Sequence, residues 1–171
     1  MAAPARDMLQ SSMPELIDFD SKSDNPRSIV EDDSTRFLNK TIIVTGAGGM
    51  LGREGCIYFC KRGARVAGLD QDKAGLKETF QALQTELGHE DIDFKTYACD
   101  VTNAEQVGET MAAIAERFGR IDGLWNNAGY QGKIQPLLDY DVQDFERVMN
   151  INVTGTRDRP TCSSSLVIVF D

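Results

Sequence analysis

Residues 40–53, KTIIVTGAGGMLGR, constrain the fold of this chain more than any other stretch. Thr41, Ile42, Ile43, Val44 and Thr45 form a β-branched run bounded by glycine, the mark of a short buried strand. The run passes straight into Gly46, Gly48, Gly49 and Gly52, and from Leu51 to Arg62 the spacing becomes helical. Without Cβ atoms the backbone turns tightly, and a ligand can approach its N–H groups. Those N–H groups and the positive end of the following helix face one spot, which suits a pyrophosphate. A glycine cluster between strand and helix also occurs as a plain connection, so the reading depends on what the rest of the chain supplies.

The rest of the chain continues the alternation. Arg62-Gly63-Ala64 suits a helix end, and Arg65–Leu69 is a second strand ending at Asp70. Leu76, Phe80, Leu83 and Leu87 then recur at the three-and-four spacing of a helix laid on a sheet, closed by Gly88. Residues 93–99, DFKTYAC, read as a third strand ending at Asp100. Residues 104–118 read as a helix with Val107, Met111, Ile114, Ala115 and Phe118 on one face and Gly119 as its stop. Residues 121–125 read as a fourth strand leading into Asn126, Asn127, Ala128 and Gly129. Strand and helix in strict alternation predict an α/β fold of the Rossmann type: a doubly wound parallel sheet with right-handed crossovers. Ligands of such sheets bind beyond the carboxyl ends of the strands, where Gly46, Asp70, Asp100 and Asn127 fall.

Asp70 stands about 20 residues after the glycine turn, where an acidic side chain accepts hydrogen bonds from the ribose hydroxyls of NAD and repels a 2′-phosphate. NAD is therefore expected over NADP. The alternative role for such a residue is to cap the next helix, which Asp72 is equally placed to do.

Composition narrows the function classes. A chain of 171 residues supports one domain with a substantial core. Eighteen Lys and Arg against 27 Asp and Glu give a net charge of −9 with no basic run, which argues against nucleic acid or an anionic membrane surface as partner. Cys56, Cys60, Cys99 and Cys162 have no metal-ligand spacing and His89 is the single histidine, so no metal site is expected. Cys56 and Cys60, one helical turn apart, read as small buried residues of a reducing compartment. No apolar stretch spans a bilayer and no secretory core or transit-peptide composition is present, which leads to a cytoplasmic expectation. Residues 1–36, rich in serine and acidic residues with Pro4, Pro14 and Pro26, read as a disordered extension. Within it, Leu16, Ile17 and Phe19 are a small apolar group with the look of a docking motif or a loosely packed tail.

With these residues in place, the chain resembles the short-chain dehydrogenases/reductases. The likeness is carried by TGAGGMLG at 45–52, Asp70, the CDVT containing Asp100 and Val101, NNAG at 126–129 and NVTG at 152–155. It covers the domain, 37–156, and leaves 157–171 as an atypical tail. The resemblance implies that Gly46, Gly49, Met50, Leu51 and Gly52 cradle the pyrophosphate. It further implies that Asp100 and Val101 lie against the adenine, and that Asn127, Ala128 and Gly129 line the nicotinamide ribose while steadying the sheet. Asn152 matches the asparagine of the catalytic group, which holds a helix bend and a water of the proton relay. Met50 stands where the single-domain members carry glycine, and Gly46, Gly49 and Gly52 also fit the spacing of the longer, epimerase-like branch. The NNAG and the ERFGRIDGLW before it resemble the single-domain dehydrogenases.

The family's reaction also needs a tyrosine as acid or base, a lysine four residues on that lowers its pKa, and a serine that orients the substrate. Here the residues four after Tyr58, Tyr97, Tyr130 and Tyr140 are Arg62, Val101, Ile134 and Asp144. Val142, Phe145, Val148, Met149 and Val153 continue the family's pattern as a further helix, and then TRDRPTCSSSLVIVFD breaks it, with Pro160 unable to sit inside a helix. The expectation is a sheet of about four to five strands, incomplete at its C-terminal side, with the last fifteen or so residues arising from a shifted frame, an alternative exon or a faulty gene model. Ser163, Ser164 and Ser165 precede the apolar run 166–170, whereas the family's serine follows its fifth strand. Residues 166–170 are compatible with a strand beside the fourth, whose edge is otherwise exposed.

Three functions remain open from sequence. The first is an NAD-dependent oxidoreductase acting on a secondary alcohol or ketone, of which this chain carries the cofactor half. The second is a catalytically inactive NAD-binding module, and the third an epimerase-like enzyme. The family's usual homo-oligomeric assembly is an expectation only.

Overall fold

In a computed structural model, residues 33–88, 92–155 and 166–168 are described. The apolar group Leu16, Ile17 and Phe19, His89, Cys162 and the tail residues 156–165 lie outside the described residues.

The strand expected first, β1 (Thr41–Thr45), is buried at every position. Side chains alternate across a strand, so a strand buried throughout must have a layer on each face. Ile42 and Val44 point into one layer, with Cys56, Ile57 and Phe59 of α1 (Met50–Cys60) and Leu76 and Leu83 of α2 (Lys73–Leu87). Ile43 points into the other, with Val107, Ile114 and Phe118 of α3 (Ala104–Phe118). Ala67 and Leu69 of β2 (Arg65–Asp70) share the second layer. Each fully buried aliphatic side chain of this kind contributes about 1.5–3 kcal/mol.

β3 (Phe94–Ala98), β4 (Gly123–Trp125) and β5 (Leu166–Ile168) complete a five-stranded parallel sheet in the order β3-β2-β1-β4-β5. Residues 166–168 thus pair beside the fourth strand, Gly123 opposite Leu166 and Trp125 opposite Ile168. The chain moves outward in one direction through β2 and β3, then returns across β1 to β4. The order therefore reverses between β1 and β4, which is where an open α/β sheet opens a crevice.

Helix ends follow their residues. Asp72 and Asn103 cap α2 and α3 by accepting from Ala74 N–H and Gln106 N–H at 2.9 and 3.1 Å. Gly88 and Gly119 end these helices in the left-handed region. The exception is α1, whose N-cap, Gly49, offers no side chain.

The described part of the domain begins with a single 3-10 turn, Asp33–Thr35, whose Asp33 bonds Arg62 of the α1–β2 turn at 2.5 Å. Phe37 packs edge-on against Phe59. The pattern over 142–153 predicts one helix, yet α4 (Val142–Met149) gives way to a π-type turn, Asn150–Thr154. Val142, Phe145, Met149 and Val153 of that stretch are exposed.

Candidate functional site

A crevice opens at the carboxyl ends of β1, β2, β3 and β4. Its lining includes Gly46, Asp70, Asp100, Val101, Ala128 and Gly129, six of the residues expected there from sequence. Gln71, Cys99, Tyr130, Arg147 and Ile151 complete it.

Thr45, the last residue of β1, is buried, and its hydroxyl organises the switch point. Its Oγ1 accepts from the N–H groups of Asn127 and Ala128, each at 3.0 Å, and lies 3.3 Å from Asn126 Oδ1, to which it donates. Asn127 Nδ2 donates to Thr45 O at 3.0 Å. The NNAG turn is thereby fastened to the end of β1 rather than to its own strand. Gly46 follows with φ +68°, and a Cβ there would stand 2.9 Å from Asn127 Nδ2 and 3.0 Å from the Ala128 Cα. Both the backbone angle and the space call for glycine.

Gly52 has a different reason. A Cβ at Gly52 would lie 2.1 Å from the Gly46 carbonyl oxygen, so the first turn of α1 sits directly on the glycine turn. Gly49 N–H donates to Gly46 O at 3.1 Å, closing the loop between them. With no side chain capping α1, its first N–H groups and the positive end of its dipole are left for an anion. Met50 and Leu51 project outward, 82% and 62% exposed, so these two positions can serve a ligand through their main chain. Leu51 lines instead a separate apolar groove with Phe37, Tyr58 and Trp125.

Asp70 closes the opposite wall. Its Oδ2 accepts from Gly48 N–H at 2.9 Å and its Oδ1 from Asp72 N–H at 2.9 Å. Asp72 takes the capping role on α2, so the Asp70 carboxylate remains turned toward the glycine loop. Asp100 Oδ1 accepts from the N–H and hydroxyl of Thr102, at 2.9 and 2.8 Å, fixing the turn that presents Val101. A Cβ at Gly155 would come within 3.1 Å of Val101 O, so the end of the π-type turn rests on that same segment.

Asn152, within the π-type turn, reaches back to residue 130. Its Oδ1 accepts from Tyr130 N–H at 2.8 Å and its Nδ2 donates to Tyr130 O at 3.0 Å. Such turns often occur at functional positions. The Tyr130 hydroxyl donates to Asp144 Oδ1 at 2.9 Å, and Asp144 Oδ2 accepts from Tyr140 OH at 2.9 Å and Lys133 N–H at 2.8 Å. Asp144 is 6% exposed. The Lys133 N–H, with help from the two phenols, holds its carboxyl below the usual carboxylate range. Through the same hydrogen bond the Tyr130 phenol is pushed upward. An acid–base tyrosine at neutral pH needs the reverse shift, so the one tyrosine in the crevice wall is held as a neutral donor to Asp144.

Sequence reasoning did not find Tyr130, Arg147 or Asp144. The signals for them are faint: Tyr130 directly follows NNAG, and Tyr140 and Asp144 are four apart.

The family model for short chain dehydrogenases matches residues 40–158. This chain belongs to the short-chain dehydrogenase family. It is 36% identical over 122 residues to levodione reductase of Leifsonia aquatica and 34% identical over 121 residues to D-threitol dehydrogenase of Mycolicibacterium smegmatis. Each alignment covers 71% of this chain and 45% of the relative, so this dehydrogenase-family chain spans less than half the length of the curated relatives it matches. Among solved structures, NAD+-bound xylitol dehydrogenase aligns with a TM-score of 0.67 at 37% identity, covering 72% of this chain and 46% of that one. A levodione reductase structure aligns with a TM-score of 0.72 at 30% identity, covering 78% and 54%.

Proposed function

We propose that this chain is the dinucleotide-holding part of an NAD-dependent oxidoreductase whose substrate is a secondary alcohol or ketone. The observation that carries the reading is the joint between Asp70 and the glycine turn: one carboxylate bonds Gly48 N–H beside an uncapped helix N-terminus. The cradle fits a dinucleotide because Gly46 and Gly52 leave no room for a Cβ, and α1 starts there without a side-chain cap. Gly46, Gly49, Met50, Leu51 and Gly52 hold the diphosphate through their main chain. Asp70 accepts from ribose hydroxyls and disfavours a 2′-phosphate. Asp100 and Val101 border the base, while Asn127, Ala128 and Gly129, fixed on Thr45, border the second ribose. Asn152 keeps Tyr130 and its loop in place beside them.

The bound nicotinamide supplies the hydride chemistry. Proton transfer at the substrate oxygen needs a tyrosine with a lowered pKa, and these 171 residues hold no Tyr-x-x-x-Lys. That favours a second reading for the chain by itself, cofactor binding without turnover. Incubating the 171-residue chain with NAD and a panel of secondary alcohols tests the two, with NADH absorbance as readout. Binding without NADH formation is expected; turnover at ordinary enzyme rates would overturn the second reading.

A further inference from the structure

We infer that Arg147 is a base-recognition residue of the crevice, taking the adenine of the dinucleotide; this rests on the cofactor reading above. Arg147 is the one cationic side chain among the residues lining the crevice, where it stands with Asp100, Val101 and Ile151. Its guanidinium carbon lies 4.5 Å over the Tyr130 ring. None of the ion pairs formed among the described residues includes it.

The Tyr130 platform is rigid. Asn152 holds both its backbone N–H and C=O, and the buried Asp144 holds its hydroxyl. Asp144 is itself fixed by Tyr140 and Lys133. A guanidinium stacked on an immobile ring is already oriented, so little of its freedom is lost when a ligand arrives.

The chemistry of the surroundings selects the ligand. An anion meeting Arg147 would also meet the carboxylates of Asp70 and Asp100, which line the same crevice. The diphosphate is better served by the glycine turn and the start of α1. A purine is neutral and flat, with acceptor nitrogens around its rim, and matches a planar, donor-only group that offers a free face and edge. Arg147 thus recognises the adenine ring, while Asp70 is the group that disfavours a 2′-phosphate.

Isothermal titration of the full chain and of Arg147→Met with 5′-AMP, NADH and 2′,5′-ADP tests this. Arg147→Met is expected to weaken 5′-AMP and NADH by the same factor, about five- to tenfold. Arg147→Lys, which keeps the charge and loses the plane, is expected to fall between the two. Unchanged 5′-AMP affinity in Arg147→Met, with NADH still bound by the unsubstituted chain, would overturn this inference alone. A loss confined to 2′,5′-ADP would also overturn it, making Arg147 a phosphate reader. An unsubstituted chain that binds none of the three would overturn the cofactor reading with it.

Discussion

Gly52→Ala isolates the contact between α1 and the glycine turn. In an ordinary helix interior the change gains about 1 kcal/mol of stability, because alanine has less backbone freedom to lose. Here the added Cβ would lie 2.1 Å from Gly46 O, 2.7 Å from Gly46 C and 2.8 Å from Ala47 Cα, all main-chain atoms. The shortest of these must open by about 0.9 Å to reach 3.0 Å, the closest approach that real Cβ atoms tolerate. Gly46 cannot yield freely, since the Asn127 side chain and Ala128 backbone lie directly behind it. Overpacking of a fixed site costs about 1–3 kcal/mol, and more where backbone must move, so the net loss is about 2 kcal/mol despite the propensity gain. Gly108→Ala supplies the opposite sign from the same substitution: it lies within α3 with nothing within 4 Å of its Cβ position and should gain about 0.5–1 kcal/mol. Urea unfolding followed by circular dichroism reads both, and NADH titration should show affinity falling in Gly52→Ala and holding in Gly108→Ala. If Gly52→Ala matched Gly108→Ala in stability and bound NADH normally, α1 would not rest on the glycine turn and the cradle argument would fail.

Asp70→Ala removes the acceptor of Gly48 N–H as well as the proposed ribose contacts, and should weaken NADH by about 2 kcal/mol, some thirtyfold, with a smaller loss for NADPH; equal losses would refute the ribose role. Asp144 sits below the usual carboxylate range because Lys133 N–H, Tyr130 and Tyr140 donate to it. A lowered folded pKa means that its stabilisation is complete above the unfolded value near 4 and is lost as pH falls through the folded one. The stability difference between the unsubstituted chain and Asp144→Asn should therefore hold from pH 7 to about pH 5 and shrink below about pH 4; a constant difference down to pH 3 would contradict the network. Burial pushes the Cys56 thiol far above any working pH and Cys60 up to about 12. Iodoacetamide at pH 8, followed by peptide mapping, should leave both unmodified in the folded chain and label both in urea.

The glycine turn, the alternation of strand and helix, and the helix ends were legible because their signals are local. Thr41–Thr45 is β-branched throughout, and Asp72, Gly88 and Gly119 punctuate α2 and α3 where capping chemistry requires them. Asp70, Asp100 and Gly129 reached one crevice because a parallel sheet brings all its strand ends to one side. The cluster around Tyr130 was not legible. It is assembled from Asn152 across 22 residues and Asp144 across 14, by side-chain partners that leave no periodic trace. Asp144, in the first turn of α4, is buried where three donors converge on it. The π-type turn over Asn150–Thr154 shares its apolar spacing with the helix before it, so periodicity alone could not separate them. Leu51 was expected at the cradle, and its side chain turns instead to the groove beside Trp125.

Calorimetric titration of the 171-residue chain with NADH, and in parallel with NADPH, tests the central claim most directly. The geometry at Gly46, Gly52 and Asp70 predicts saturable binding of NADH at one site, with NADPH weaker. No heat of binding for either nucleotide, or tighter binding of NADPH, would contradict it.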